Sequence, residues 1–437
     1  MQHSFENTLA FAQSLDASDT LRSFRNEFIL PAKADGTPKI YFCGNSLGLQ
    51  PKTAADYVAK EMQRWATLAV EGHFQGEPSW FNYHRTMRDT TAKLVGALPH
   101  EVVIMNTLTV NLHLMMVSFY RPTAQRYKIL MEAGAFPSDQ YAVESQVRFH
   151  GLDPAKAIVE VAPREGEATL RIEDIEQAID KHANSLALVL FGGVHYYTGQ
   201  AFDLKRIAAA AHAAGAKVGF DLAHAVGNLP LHLHQWDADF AVWCTYKYLN
   251  SGPGGTSGAF IHERYANNTE LPRFAGWWGY REESRFLMQK GFVPMYGAEG
   301  WQLSCGQIFP FAVHRASLEI FERAGIEYLR AKSIRLTSFL AFLLEQINQQ
   351  AATQLLHIIT PSDPHQRGCQ LSLVVPQNGK KVFEQLIQAG VVCDWREPDV
   401  IRVAPVPLYN TFEEVWQFAA ILTKILTATT EAVQITC

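Results

Sequence analysis

The amino-acid sequence predicts an α/β protein, with a large and mostly parallel sheet covered by helices on both faces and a smaller α+β domain after it. Two observations predict this architecture. Between about residues 100 and 262, short apolar runs alternate with helical stretches, as in parallel sheets whose strands are buried on both faces. After about residue 311, the pattern changes to one long helical region followed by alternating strands and amphipathic helices.

The spacing of apolar residues places the elements of the large domain. A helix is predicted over residues 51–66, because Ala54, Val58, Met62 and Trp65 lie on one helical face. An alanine-rich crossover helix is predicted over residues 203–213, ending near Gly215. Six apolar runs are predicted to be strands: 102–105, 129–132, 187–191, 217–221, 240–244 and 258–261.

The C-terminal part follows a different pattern. Residues 311–349 predict a long helical region with a break at Gly325, and residues 369–375 alternate as in a half-buried strand. A helix over 381–389 and a strand over 401–403 follow. Thr411 and Glu414 form a capping box before a helix over 415–426. We therefore expect an N-terminal segment (1–60) that contributes to the small domain and the active site, a large domain (61–310) and a small domain (311–437).

Composition excludes several classes of function. The chain has 437 residues, and its 38 Lys and Arg residues nearly balance 43 Asp and Glu residues without charge runs. This predicts no nucleic-acid or membrane partner and favours a small molecule. The N-terminal 14 residues lack a secretory signal, and the apolar runs are shorter than the roughly 20 residues of a membrane helix. Scattered cysteines without a CxxC pair indicate free thiols and a cytoplasmic location: Cys43, Cys244, Cys305, Cys369, Cys393 and Cys437.

Two residues in the middle of the chain are candidates for catalysis. Asp221 ends an apolar strand, and Lys247 follows the next strand, 26 residues later. Ligands of open α/β sheets bind at the carboxyl edge, where both side chains are expected. A lysine amine with a carboxylate opposite a pyridine nitrogen suits pyridoxal 5′-phosphate, because the negative charge keeps the ring protonated. His224, three residues after Asp221, could lie against the same cofactor.

The phosphate and the pyridine ring of such a cofactor also have candidate binding residues. A strand ends near Met105 and a helix begins after it, so the backbone N–H groups of Leu108 and Thr109 are predicted to bind the phosphate. Phe136 follows another strand and could stack on the pyridine. The glycine-rich run 251–255 would let the backbone turn tightly past the cofactor. His232 and His234 could form a metal pair, but no third ligand is near in the sequence, so no metal is predicted.

The chain resembles the kynureninases, of the aminotransferase-like fold type I of pyridoxal-phosphate enzymes. The resemblance covers nearly the whole chain and rests on long stretches: 42–51 (FCGNSLGLQP), 106–115 (NTLTVNLHLM), 135–146 (AFPSDQYAVESQ), 193–199 (GVHYYTG), 219–227 (GFDLAHAVG) and 402–409 (RVAPVPLY). It implies a seven-stranded, mostly parallel sheet in a transferase-like fold. It also implies hydrolysis of L-kynurenine or 3-hydroxy-L-kynurenine to anthranilate or 3-hydroxyanthranilate plus L-alanine.

The resemblance implies a role for individual residues. Lys247 would be the Schiff-base lysine, and Tyr246 a phosphate ligand and acid group. Trp277 would reach the phosphate from the partner subunit, which implies a homodimer with shared sites. Arg402 would clamp the substrate α-carboxylate. The other cofactor positions are Leu108, Thr109, Phe136, Asp139, Asp221 and His224, and Ser46 and His73 match positions near the aromatic ring of the substrate.

Two positions depart from the eukaryotic pattern. Gly192 stands where a serine contacts the cofactor, so only its backbone can contribute. Cys305 stands where an asparagine contacts substrate and cofactor, and a thiol is a weak hydrogen-bonding group. A cysteine desulfurase or an aminotransferase of the same fold is the nearest alternative, although Cys369 lies within a predicted strand and fits a buried thiol better than a mobile nucleophile. A catalytically silent scaffold is the alternative from another class.

Overall fold

A computed structural model describes residues 5–351 and 353–435. The α-helices are α1 (Leu9–Ala17), α2 (Ala54–Leu68), α3 (Arg88–Val95), α4 (Leu108–Phe119), α5 (Pro137–Phe149), α6 (Pro154–Ala157), α7 (Ile172–His182), α8 (Leu204–Ala213), α9 (Ile308–Ala324), α10 (Ile326–Ala351), α11 (Gly379–Gln388) and α12 (Phe412–Ile435). The strands are β1 (Phe28–Ile29), β2 (Ile40–Tyr41), β3 (Gln50–Pro51), β4 (Val102–Ile104), β5 (Lys128–Glu132), β6 (Ile158–Val161), β7 (Leu186–Gly192), β8 (Lys217–Asp221), β9 (Phe240–Cys244), β10 (Ser257–Ile261), β11 (His357–Ile358), β12 (Leu371–Val374), β13 (Val391–Val392), β14 (Asp394–Arg396) and β15 (Val400–Val403).

The described residues form two compact units. Unit 1 takes its residues from 1–52, 196–201 and 320–437, and unit 2 consists of 53–195 and 202–319. The division falls after residues 52 and 319, where we expected it after residues 60 and 310. The short segment 196–201 clusters with unit 1 although the chain before and after it belongs to unit 2.

Unit 2 contains a seven-stranded sheet with the strand order β4-β10-β9-β8-β7-β5-β6. Strands β9, β8, β7, β5 and β6 run parallel, and β10 is antiparallel to both β9 and β4. This confirms the predicted α/β class and the predicted mostly parallel sheet. The six predicted strands are present, and β6 at the sheet edge is the one the apolar pattern did not identify.

Continuous apolar runs explain why these strands lie in the interior of unit 2. All five residues of β9 and of β10 are buried, as is every residue of β8 after Lys217. Helices α4 and α5 pack on the core with apolar residues such as Met115 and Val143. Because the strands around β8 are parallel, their carboxyl ends meet at one edge of the sheet.

Two helices begin later in the structure than the sequence predicts. The helix predicted over 51–66 begins only at Ala54, because Gln50 and Pro51 pair with β1 as strand β3. The crossover helix begins at Leu204, since the Asp203 side chain caps it by accepting a hydrogen bond from the Arg206 N–H at 3.1 Å. The predicted break of the long helical region is confirmed at Gly325, whose φ of +74° separates α9 from α10.

Unit 1 is built on a four-stranded antiparallel sheet with the order β11-β12-β15-β14. Buried residues of α10, α11 and α12 form its core with the sheet, including Leu340, Leu386 and Leu422. The capping box is confirmed: the Glu414 N–H donates to Thr411 Oγ1 at 3.1 Å, and the Thr411 N–H donates to Glu414 Oε2 at 3.2 Å. The predicted strand over 369–375 is present in its central part as β12.

Two further predictions concern covalent state and membranes. Within the described part of the chain, Cys43, Cys244, Cys305, Cys369 and Cys393 form no disulfide. Cys437 and the first four residues of the N-terminal segment lie outside the described residues. Among the helices that the structure describes, none is both long enough and apolar enough to cross a bilayer.

Candidate active site

The carboxyl edge of the unit 2 sheet brings Asp221 and Lys247 to one place. Asp221 is the last residue of β8, and Lys247 follows β9, which pairs with β8 in parallel register. Both residues are only 9% exposed. The Ala223 N–H donates a hydrogen bond of 2.7 Å to Asp221 Oδ1 and fixes the carboxylate at the strand end. The juxtaposition that strand ends and spacing predicted is therefore present.

A second buried carboxyl group contacts Asp221. Asp139, in the first turn of α5, donates a hydrogen bond to Asp221. Burial and the negative charge of Asp221 raise the pKa of Asp139 well above its usual value, so Asp139 carries the shared proton. Burial also raises the pKa of Asp221, although the Ala223 N–H and the charge of Lys247 oppose this. Asp139 Oδ1 is buried and has no hydrogen-bond partner among the described residues.

The amine of Lys247 lies near two aromatic rings. Its Nζ is 5.6 Å from the ring centroid of Phe136 and 6.0 Å from that of Tyr246. The Tyr246 hydroxyl donates to the Cys244 thiol. Burial, and then the neighbouring Cys244, raise the pKa of Tyr246, so the phenol keeps its proton at neutral pH. This geometry leaves an amine, a flat apolar face and a proton-bearing hydroxyl around one position.

The N-terminus of α4 supplies free backbone donors near this group. Leu108 and Thr109 are its first two residues, and the first N–H groups of an α-helix lack intrahelical acceptors. The Thr109 hydroxyl lies 2.9 Å from Ser138 Oγ, and Ser138 directly precedes Asp139 in α5. The predicted phosphate-binding turn is thereby tied to the helix that carries Asp139.

Gly192 and His224 complete the predicted cofactor positions at the sheet edge. Gly192 ends β7 and lies opposite Asp221 in the parallel register of β7 and β8. Its N–H donates to Glu132 Oε1 at 3.0 Å. His224 is buried, with its ring centroid 6.3 Å from that of Tyr248. Together with Phe136, Asp139, Asp221, Tyr246 and Lys247, these residues form the group that we call the lysine site.

Three other predicted residues belong to a different, aromatic group in unit 2. The His73 ring packs edge-on against Trp80 at 5.4 Å and also neighbours Phe74. Phe74 and Trp277 both pack on Phe286, with ring centroids 6.0 and 5.5 Å away. The exposed Cys305 lies two residues after Leu303, whose carbonyl accepts the N–H of Trp278 at 3.3 Å. We call these rings, with Phe81 and Trp278, the aromatic surface.

Arg402 and Ser46 form a separate polar cluster in unit 1. Arg402 is 1% exposed, and its Nε donates to Asp394 Oδ1 at 2.6 Å while its Nη2 donates to Asp394 Oδ2. Nη1 donates to the carbonyl of Tyr196 at 2.7 Å, and Nη2 also donates to Ser46 Oγ at 3.0 Å. Burial raises the pKa of Asp394, but the hydrogen bonds and charge of Arg402 outweigh it and hold that pKa below its usual value.

The histidine pair considered for a metal separates in the structure. His234 lies beside Glu101 and His262, with His234 Nδ1 2.9 Å from Glu101 Oε1. The same oxygen accepts the N–H of Glu263 at 2.8 Å, and His262 Nδ1 accepts the N–H of Arg264 at 3.2 Å. The groups that could ligate an ion are thus engaged in hydrogen bonds, and His232 instead packs its ring on Trp236.

Two residues of the lysine site and of the Arg402 cluster were not predicted from the sequence. Glu132 is the last residue of β5 and is fully buried beside Asp221. An acidic residue ending an apolar strand was the signal that identified Asp221, and the run Ile129–Glu132 carries the same signal. Asp394, the partner of Arg402, lies on the edge strand β14, which no apolar pattern marks.

A family model and several similar proteins all carry the description kynureninase. Residues 329–422 match the family model of the kynureninase C-terminal domain. The chain is 55% identical over 414 residues to a kynureninase of Koribacter versatilis, covering 95% of this chain and 97% of that protein. It is 56% identical to a kynureninase of Myxococcus xanthus (96% and 97% covered) and 58% identical to one of Stenotrophomonas maltophilia (93% and 96% covered).

Solved structures share the fold at low sequence identity. A cysteine desulfurase from Thermococcus onnurineus aligns with a TM-score of 0.74 and 17% identity, covering 89% of this chain and 95% of that chain. A C-DES variant with glycine covalently linked to its PLP cofactor aligns with a TM-score of 0.73 and 18% identity, covering 88% and 96%. At these identities the likeness concerns the fold alone.

Proposed function

This chain belongs to the kynureninase family, and from that premise we propose that it hydrolyses the Cβ–Cγ bond of L-kynurenine, 3-hydroxy-L-kynurenine or both. The products are anthranilate or 3-hydroxyanthranilate and L-alanine, with pyridoxal 5′-phosphate as cofactor. The observation that carries the proposal is a buried lysine beside a protonated carboxyl pair at the carboxyl edge of the sheet. We further propose a cytoplasmic role in tryptophan catabolism or NAD biosynthesis, which agrees with the absence of a disulfide bond among the described cysteines.

The lysine site fits this cofactor. Lys247 offers the amine, the Phe136 face lies 5.6 Å from it, and the helix α4 N-terminus offers Leu108 and Thr109 for a phosphate. The buried Asp139 Oδ1, which has no partner among the described residues, can accept a hydrogen bond from a bound ring. The proposed cofactor residues are Leu108, Thr109, Phe136, Asp139, Gly192, Asp221, His224, Tyr246 and Lys247, with Trp277 and Cys305 supplied by a partner subunit.

The protein groups then have distinct tasks. The cofactor, when bound, supplies an electron sink that makes carbanion character at the substrate carbons accessible. The Lys247 amine moves the proton at the substrate α-carbon. Water adds to the γ-carbonyl carbon, and cleavage leaves the electron pair of the Cβ–Cγ bond on the β-carbon. The Tyr246 phenol, which keeps its proton at neutral pH, donates that proton to the β-carbon.

Arg402 is the proposed ligand of the substrate α-carboxylate, with Ser46 beside it. Asp394 already occupies the Nε and Nη2 donors of the guanidinium. One Nη1 hydrogen remains after the bond to the Tyr196 carbonyl, and the second Nη2 hydrogen is donated to Ser46 Oγ. A substrate carboxylate would therefore bind the Nη1 and Nη2 end of Arg402 and displace the Ser46 hydroxyl. His73 and Cys305 remain the proposed contacts for the aromatic ring of the substrate.

The function is tested by assay of the purified protein reconstituted with pyridoxal 5′-phosphate. We expect fluorescent anthranilate and stoichiometric alanine from kynurenine, and a parallel assay with the 3-hydroxy substrate gives the preference. Lys247→Ala should abolish turnover and should lose the borohydride-reducible covalent bond to the cofactor. Sulfide release from cysteine without kynurenine cleavage would instead identify a desulfurase, and a requirement for a keto acid an aminotransferase.

We also propose that the protein is a homodimer whose sites combine residues of both subunits. The aromatic surface supports this, because Phe74, Trp277 and Phe286 are 59%, 47% and 50% exposed although they pack on one another. Exposed clustered aromatic rings mark protein interfaces. On this arrangement His73, Trp277 and Cys305 would complete the lysine site of the partner.

Subunit complementation tests the shared site. Lys247→Ala and Trp277→Ala proteins are each expected to be nearly inactive, whereas subunits mixed and reassociated should regain about a quarter of the wild-type sites, because half of the dimers are mixed and each has one intact site. Phe149→Ala, at an exposed ring outside the aromatic surface, is the control for the second variant. A monomer in sedimentation analysis, or no recovery of activity after mixing, would contradict the proposal.

A further inference from the structure

Glu132 is a buried carboxyl group for which the proposed reaction has no use. It ends β5, directly beside β7, and accepts the Gly192 N–H at 3.0 Å through Oε1. A side chain at position 192 would place its Cβ 3.0 Å from that same oxygen, so the glycine leaves room for the carboxyl group.

The surroundings of Glu132 contain more acids than bases. Asp221 on β8 and Asp139 on α5 face it, and Lys247 after β9 is the cation of this group. On β6, the residue opposite Glu132 is the uncharged Val161. His195, which follows β7, donates to the Gly134 carbonyl, and burial lowers its pKa to about 4, so it is neutral. Three carboxyl groups with one lysine cannot all be ionised in a buried site.

Glu132 gains or loses its proton close to neutral pH. Burial raises its pKa to about 7, the charge of Asp221 adds to the rise, and its own N–H and the Gly192 N–H oppose it. Below that pH the group is neutral, and above it the group adds a negative charge next to the Asp139–Asp221 pair. Negative charge at this place stabilises a protonated cofactor and disfavours ionisation of Asp139.

From this geometry we infer that Glu132 is a positioning residue of the cofactor site, which acts through Gly192 and the Asp139–Asp221 pair to keep the bound cofactor protonated. The inference rests on the proposed function, because it requires pyridoxal phosphate on Lys247. Glu132 does not touch the reacting atoms in this role. Its effect is electrostatic, and it should therefore be visible in the spectrum of the bound cofactor without any substrate.

The experiment is a pH titration of the visible absorption of the reconstituted protein. Glu132→Gln keeps an oxygen that can accept the Gly192 N–H and removes only the ionisable group. We expect the long-wavelength absorption band of the protonated cofactor to titrate about one pH unit lower in Glu132→Gln than in the wild type. This is the shift expected when one partly screened negative charge is lost. The pH profile of kcat/KM should shift in the same direction, with KM changed less than twofold.

Two further variants separate an electrostatic from a structural role. Glu160→Gln removes an exposed carboxyl group on the neighbouring strand β6 and should leave the titration unchanged. Gly192→Ala keeps Glu132 but crowds its oxygen and weakens the N–H bond that favours its ionised form, so a smaller shift in the same direction is expected. If Glu132→Gln does not fold, Gly192→Ala decides.

The outcomes are distinguishable. An unchanged titration in Glu132→Gln, or in Gly192→Ala where the former does not fold, overturns the inference while leaving the proposed function intact. A shift toward higher pH also overturns it, because the sign would be wrong. Wild-type protein that binds no pyridoxal phosphate would refute the proposed function itself, before any variant is compared.

Discussion

Replacing Asp394 with asparagine should destabilise the protein strongly, because it leaves a buried cation without its counter-charge. Arg402 is 1% exposed, and Asp394 holds two of its donors, with the Nε–Oδ1 distance at 2.6 Å. Removing one partner of a buried ion pair costs about 3–5 kcal/mol. Because the amide oxygen can still accept one N–H and Tyr196 keeps another, we expect the lower end, about 3 kcal/mol at pH 7.

The sign of the pH dependence gives a second check on this variant. The pKa of Asp394 is held below its usual value in the folded protein, so its ionised form stabilises the fold fully above its unfolded pKa of about 4. That contribution is lost as the pH falls through the lower, folded pKa. The difference between wild type and Asp394→Asn should therefore be complete at pH 7 and should shrink only below about pH 4.

Urea unfolding followed by circular dichroism at several pH values measures both effects. Glu397→Gln is the matched control, since its carboxylate meets Lys380 at 3.4 Å with both side chains largely exposed, and it should cost at most about 0.5 kcal/mol. A loss below about 1 kcal/mol in Asp394→Asn at pH 7 would refute the reasoning. It would mean that water or another group compensates the Arg402 charge.

Three further outcomes are expected. Glu299→Gln should lose about 3 kcal/mol at pH 7. Burial raises the pKa of Glu299, but its contact with His84 and its hydrogen bonds from Arg85 outweigh this and hold the pKa at about 2. Calorimetry should show the loss of stability fading as the pH falls from about 4 toward 2. Tyr246→Phe should lower kcat by about 10²- to 10⁴-fold without changing the melting temperature by more than about two degrees, and a kcat within threefold of wild type would contradict the proton-donor role. Leu422→Ala, in the unit 1 core, should cost about 2–5 kcal/mol in urea unfolding.

The central strands were predictable because their surroundings are uniform. Strands β8 and β9 are covered on both faces, so a continuous apolar run marks each of them, and their bounds are those we predicted. Strand β6 is an edge strand with the exposed Glu160 in its middle, and its pattern resembles that of a loop. A strand that is buried on both faces is marked by a continuous run of apolar residues, whereas an edge strand depends on its neighbour for its conformation.

The polar cluster around Arg402 was only partly predictable. Asp394 lies opposite Arg402 in the antiparallel pair of β14 and β15, but Ser46 and Tyr196, which the guanidinium also contacts, come from distant parts of the chain. No local spacing relates Ser46 and Tyr196 to Arg402. The six-residue segment that carries Tyr196 belongs to unit 1, although the chain before and after it belongs to unit 2. Long-range hydrogen bonds hold this segment, such as the one that Gln370 donates to the Tyr196 carbonyl.

Protonation at the lysine site could not be read from the sequence at all. Strand ends placed Asp221 and Lys247 at one edge, and counting charges there would suggest a simple ion pair. The fold instead buries Glu132, Asp139 and Asp221 together, and because burial disfavours every charge, a proton is retained between Asp139 and Asp221. The charge state of the site thus follows from how the α5 N-terminus and the ends of β5 and β8 converge. Glu132 ends an apolar strand just as Asp221 does, but only the fold shows that the two carboxyl groups are buried side by side.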